Sequence, residues 1–146
     1  VRIGADLADQ VTASTVSGWN AKDGSAVKGE ASRIANAGPG QGKSGVDWAN
    51  EVFGTRSEHL STPAVATSDE ARAVAEAALD QRARRFVRAE GTAEGNAQLR
   101  VGSSVRLAGI SPQYDHTYYV IRACHLFDMK QGYRTEFSAQ CAYLGN

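Results

Sequence analysis

The segment Ala37-Gly-Pro-Gly-Gln-Gly-Lys-Ser44 comes within one residue of a phosphate-binding P-loop, with Ala37 where the first glycine belongs and Gly42-Lys43-Ser44 in place. That chemistry needs a buried strand to deliver the loop and a helix whose N-terminal amides receive the phosphates. Ser32-Arg-Ile-Ala-Asn-Ala37 is not such a strand, and the residues after Ser44 offer at most one helical turn around Val46 to Phe53. No apolar run ending in Asp supplies a magnesium ligand. A flexible glycine-rich loop is therefore expected, and a nucleotide binder is the least favoured function. His59, His116 and His125 share no metal-ligand spacing, and Cys124 and Cys141 lack a second pair. His125 reads as a half-buried, hydrogen-bonded strand residue. No serine sits in a nucleophile elbow, and no two carboxylates have surroundings that would separate an acid from a base. These residue types predict no cofactor, no metal and no enzyme.

The elements that would position such residues follow from periodicity. Val1 to Trp19 alternates through Val11, Ala13 and Thr15 and reads as a long strand; Asp23-Gly24 is a hairpin turn, and Ser25 to Glu30 a short returning strand. From 31 to 63 the pattern dissolves into Gly, Pro, Ser and Asn, a long flexible connection. A helix is expected over 67–89. Thr67 and Glu70 form a capping box, acids lie in the first turn, arginines in the last, and Gly91 stops it. Its stripe of Ala71, Ala75, Ala78, Leu79, Ala83 and Phe86 suits close packing on a sheet; Arg82 falls inside that stripe, as a snorkelling residue or a subunit contact.

Over 99–144 three strands are expected: Leu99 to Leu107 with a bend at Gly102-Ser103-Ser104, Thr117 to Phe127, and Tyr133 to Tyr143 after a turn at Gly132. In the last, Tyr133, Thr135, Phe137, Ala139, Cys141 and Tyr143 share one face, while Arg134, Glu136, Ser138 and Gln140 share a wet one. Cys124 and Cys141 need not be opposite and read as free thiols. The predicted fold is α+β: an antiparallel, barrel-like sheet packed with one helix, plus the long glycine-rich loop, all in one domain over 1–146.

Sixteen Lys and Arg balance sixteen Asp and Glu, so no basic field exists for non-specific nucleic-acid binding. No apolar run approaches membrane-spanning length, so no membrane embedding is expected. The chain opens on Val1 rather than Met and is expected to be a fragment of a longer protein.

Gly95, Leu99-Arg-Val-Gly102, Val105-Arg-Leu-Ala-Gly109, Tyr118-Tyr-Val-Ile121, His125-Leu-Phe127 and Gly132-Tyr-Arg-Thr-Glu-Phe137 occur in an order and spacing that resembles the closing domain of the phage late control protein D family. That family is akin to the hub portion of VgrG spike proteins. Gly4-Ala-Asp-Leu-Ala-Asp-Gln-Val11 and Val16-Ser-Gly-Trp19 are similar to the segment preceding it. The resemblance implies a structural baseplate hub of a phage tail or contractile injection system, joining tail tube to central spike. It implies a homotrimer of the parent chain with tube and spike proteins as partners, in a virion or injection particle assembled in the cytoplasm. A cargo- or partner-binding module of such a particle is the alternative. Candidates for core or subunit contact are Trp19, Arg82, Tyr118, Val120, His125, Tyr133 and Phe137.

Overall fold

The computed structural model describes residues 1–61 and 64–145. In chain order the elements are β1 (Arg2–Ala5), β2 (Ala13–Asn20), β3 (Ser25–Ala31), β4 (Lys43–Ser44), α1 (Gly45–Phe53), β5 (Ser57–Leu60), α2 (Ser68–Arg84), β6 (Val87–Glu94), β7 (Ser104–Arg106), β8 (Thr117–Asp128), β9 (Gly132–Cys141) and β10 (Tyr143–Leu144). The fold is α+β and mostly antiparallel, with a sheet curled into a half-barrel and two helices. The chain divides into two compact units. One holds Val1–Asp6, Gly38–Ser44 and the chain from Arg84 on; the other holds Leu7–Ala37 and Gly45–Ala83.

In the first unit a five-stranded sheet runs in the order β1-β6-β9-β8-β7. Gly132, at φ 71°, makes the turn that joins β8 to β9. The turn is fixed by Asp128, whose carboxylate accepts the amides of Lys130 (2.9 Å) and Gln131 (2.8 Å) and pairs with Arg134. Along β9 the odd positions Thr135, Phe137, Ala139 and Cys141 are buried and the even ones half-exposed, the period of a strand with one face in the core. Cys124 pairs in register with Glu136 and Cys141 with Val87, so the two thiols are free. Burial raises the pKa of the Cys141 thiol.

Two strands are shorter than their periodicity suggests. Residues from Leu99 to Ser103 fold into turns, Leu99 N–H donating to Asn96 O and Ser103 N–H to Arg100 O, with Gly102 at φ 88°; only Ser104–Arg106 pairs with β8. The predicted first strand is likewise broken by a turn in which Gln10 N–H donates to Leu7 O. The predicted helix end is also shifted. Helix α2 stops at Arg84, and Val87 and Ala89 are buried while Arg88 and Glu90 are exposed, because this stretch pairs with β9 as strand β6.

In the second unit β2 lies between β3 and β5, antiparallel to the first and parallel to the second. Gly24, at φ 63°, closes the β2–β3 turn, and Asn20 Oδ1 accepts the amides of Lys22 and Asp23 within it. Helix α2 starts on the expected capping box: Glu70 N–H donates to Thr67 Oγ1 (3.2 Å), and Glu70 Oε2 accepts the amides of Ala66 and Thr67. Ala71, Ala75, Leu79 and Ala83 are its buried stripe.

The 31–63 stretch carries more structure than its composition suggests, namely β4, the nine-residue helix α1 and β5. Its last residues, Thr62 and Pro63, lie outside the described residues. Helix α1 buries Val46 and Ala49 and ends at Gly54, φ 71°. Asp80 on α2 anchors the connection, its carboxylate accepting the amides of Ala35 (2.8 Å) and Asn36 (2.7 Å).

Candidate functional site

The two faces of the β3-β2-β5 sheet differ sharply. On the inner face Ser14, Val16, Val27 and Ala31 are buried, and two glycines admit close neighbours: a Cβ on Gly18 would meet Val65 at 2.3 Å, and one on Gly29 would meet the Ala71 backbone at 2.3 Å. Helix α2 and Val65 thus lie against bare backbone. Glu58, whose register partner is Ser14, forms an ion pair with Arg82 of α2. That carboxylate raises the guanidinium's pKa further, chiefly through the hydrogen bond.

The outer face is open and polar. In register, His59, Thr15 and Glu30 stand abreast across the three strands, Ser17 faces Lys28 in the next row, and Trp19 faces Ala26 beyond it. A cleft of about 490 Å³ is lined by the first two of these rows and by the backbone at Val16 and Gly29. Thr15 Oγ1 lies 3.2 Å from Glu58 O and 3.0 Å from His59 Nδ1. A hydroxyl has one proton. With that proton on the Glu58 carbonyl, His59 Nδ1–H donates to Thr15, and in the neutral ring Nε2 is left as an acceptor. Neither Lys28 nor Glu30 has an ion-pair partner among the described residues. The cleft therefore offers an ammonium donor, a carboxylate acceptor, an oriented imidazole and a hydroxyl on neighbouring strands of one face. That set suits a polyhydroxylated ligand.

The P-loop-like segment has another use. Gly38, Gly40 and Gly42 have φ of 94°, 132° and 112°. A Cβ on Gly40 would lie 2.6 Å from Cys141 Sγ, and one on Gly42 would lie 2.2 Å from Leu144 O. The glycines let the chain pass close to β10, with which β4 pairs through Ser44 and Tyr143 and through Lys43 and Leu144. No strand precedes the loop at 32–37. Among the described residues no group of three or more His, Cys, Asp and Glu could hold a metal.

The residues singled out from sequence do not converge on one site. Tyr118, Val120 and Phe137 are buried in the five-stranded sheet, and burial raises the Tyr118 pKa. His125 is exposed, with Nδ1 3.0 Å from Thr135 Oγ1 and 3.1 Å from the hydroxyl of Tyr133, itself partly exposed. Arg82 pairs with Glu58, and Trp19 is 61% exposed on the outer face of the other sheet. Thr15, Ser17, Lys28 and Glu30 are not among those residues, although alternation about the Asp23-Gly24 turn pairs them. Nothing local announces His59 as their neighbour, since β5 pairs with a strand some forty residues away.

Comparison with known families overturns the hub resemblance. The chain belongs to the Alg8 N-terminal domain family, which it matches over residues 2–128. That family is glycosyltransferase-like. No curated protein matches the chain. The family match replaces the baseplate-hub function, its phage-tail character and the virion location, and it points to an enzyme where none was expected. The hub resemblance rested on short segments of common strand and turn residues, which many antiparallel sheets share. Among the described residues no helix is long and apolar enough to cross a membrane.

Proposed function

We propose that this chain serves a glycosyltransferase-related activity by binding a sugar in the cleft on the outer face of the β3-β2-β5 sheet. The observation that carries this is the row His59–Thr15–Glu30 beside Ser17 and Lys28, in a chain of this family. Sugar hydroxyls both donate and accept. Here Glu30 and His59 Nε2 would accept, while Lys28 and Ser17 would donate. Each such bond contributes about 0.5–1.5 kcal/mol, more to charged groups, so several acting together give useful selectivity from a shallow surface.

Calorimetric titration with glucose and mannose tests this. Glu30→Gln and His59→Ala are each expected to weaken binding about fivefold, in line with one hydrogen bond lost. Affinities unchanged in both variants would remove the cleft from the reaction. In a glycosyltransferase containing this chain, the same two substitutions are expected to raise KM for the sugar-bearing substrate more than they lower kcat.

A further inference from the structure

Strand β8 is paired on both sides over only part of its length. β7 and the Gly102–Ser103 turn meet it from Thr117 to Val120; from Ile121 to Asp128 the described residues pair it with β9 alone. The one register shift lies between Val120 and Arg122, so the rest of the open edge is regular. Unpaired backbone groups in a row are a template for another strand. Apolar side chains accompany them: Phe127 is 75% exposed, and Met129, in the turn beyond, is 94% exposed.

We infer that this edge pairs with the same edge of a second copy of the chain, antiparallel about a two-fold axis at His125. Opposed residues on antiparallel strands project to the same face, so such an axis must pass at a residue rather than between two. Side chains then choose which residue. With the axis at His125, Arg122 faces Asp128 of the second copy, Ala123 faces its Phe127 and Cys124 faces its Leu126, each pair occurring twice. The run Arg122-Ala-Cys-His-Leu-Phe-Asp128 is thus complementary to its own reverse, cation to anion and small to large. An axis at Leu126 would set Arg122 against Lys130, a like charge; one at Cys124 would set it against Leu126. Arg122 is exposed and has no ion-pair partner among the described residues. The Asp128 side chain, although bonded to Arg134, stays 42% exposed. A peptide of another protein would meet the same backbone, but this order of charge and size selects a copy of the chain itself.

The test is sedimentation velocity of the whole chain from ~1 to ~300 µM, where a small interface of this kind is expected to show a monomer–dimer equilibrium. Arg122→Asp sets like charges opposite each other at both ends of the pairing and is expected to weaken the dimer about tenfold or more. Because Arg122 is exposed, its thermal melt at low concentration should match wild type, which separates lost association from lost folding. Register is read by cross-linking. Leu126→Cys places a thiol opposite Cys124 of the other copy, and with oxidised glutathione it should give a disulfide-linked dimer that wild type does not. Adding Cys124→Ser to that variant should abolish the link. Wild type that stays monomeric at every concentration overturns the inference, and so does a dimer that Arg122→Asp leaves intact. A link that forms in wild type, or survives Cys124→Ser, overturns the axis at His125.

Discussion

In the five-stranded sheet the buried row of β9 is Thr135, Phe137, Ala139 and Cys141, facing Tyr118 and Val120 on β8. In the three-stranded sheet the inner row of β2 is Ser14, Val16 and Gly18, beside Val27, Gly29 and Ala31 on β3. One sheet fills its core with large side chains. The other removes side chains so that a helix backbone comes down onto the strand. Burial by filling scales with the apolar area hidden, whereas burial by removal depends on contact between backbones, which cannot shift rotamer to relieve a misfit. The second design leaves a thin sheet with one face sealed and the other free for polar groups.

Phe137→Ala should strike the filled core hardest, with a loss of about 4 kcal/mol in denaturant unfolding from a 5% exposed ring. Gly29→Ala should cost the close-packed sheet about 2–3 kcal/mol, because the added methyl meets the Ala71 and Arg72 backbone at 2.3–2.6 Å. The same change at Gly4 on β1, where nothing lies within 4 Å, should stay within about 0.5 kcal/mol. Equal losses at Gly29 and Gly4 would erase the contrast between the two sheets.

The smallest effect concerns acid. Arg134 first, then the Gln131 and Lys130 amides, pull the Asp128 pKa down to about 2. An aspartate depressed in the folded state contributes its stability above its unfolded pKa, near ~3.9, and loses it as pH falls toward 2. Melting temperatures of wild type and Asp128→Asn should therefore differ above pH 4 and converge near pH 2. Parallel curves across that window would mean that Asp128 does not hold the hairpin.

Filling is the kind of burial that a sequence displays. The alternation of β9, the glycine that turns β8 into β9 and the Thr67–Glu70 box are local patterns, and each predicts the element found. Removal leaves no such trace. Gly18 and Gly29 fall inside the expected strands without any sign that Val65 and α2 lie against them. Helix α1 was hidden by its glycine-rich approach, and the end of α2 by arginines that suit a helix terminus as well as a strand. The candidate site was half legible: the β2–β3 hairpin pairs Thr15 with Glu30 and Ser17 with Lys28. His59 arrives through a parallel pairing that no short-range signal encodes.

The pairing of β4 with β10 joins Lys43 to Leu144, about a hundred residues apart along the chain. Closing so long a loop costs entropy before its few hydrogen bonds return anything, and in synthesis it must wait until Leu144 has been made. The glycine-rich segment is thus expected to dock after the β2–β3 and β8–β9 hairpins have formed. Its conformation would then be settled at the end of folding, by the strand it meets there, rather than by its own sequence at the start.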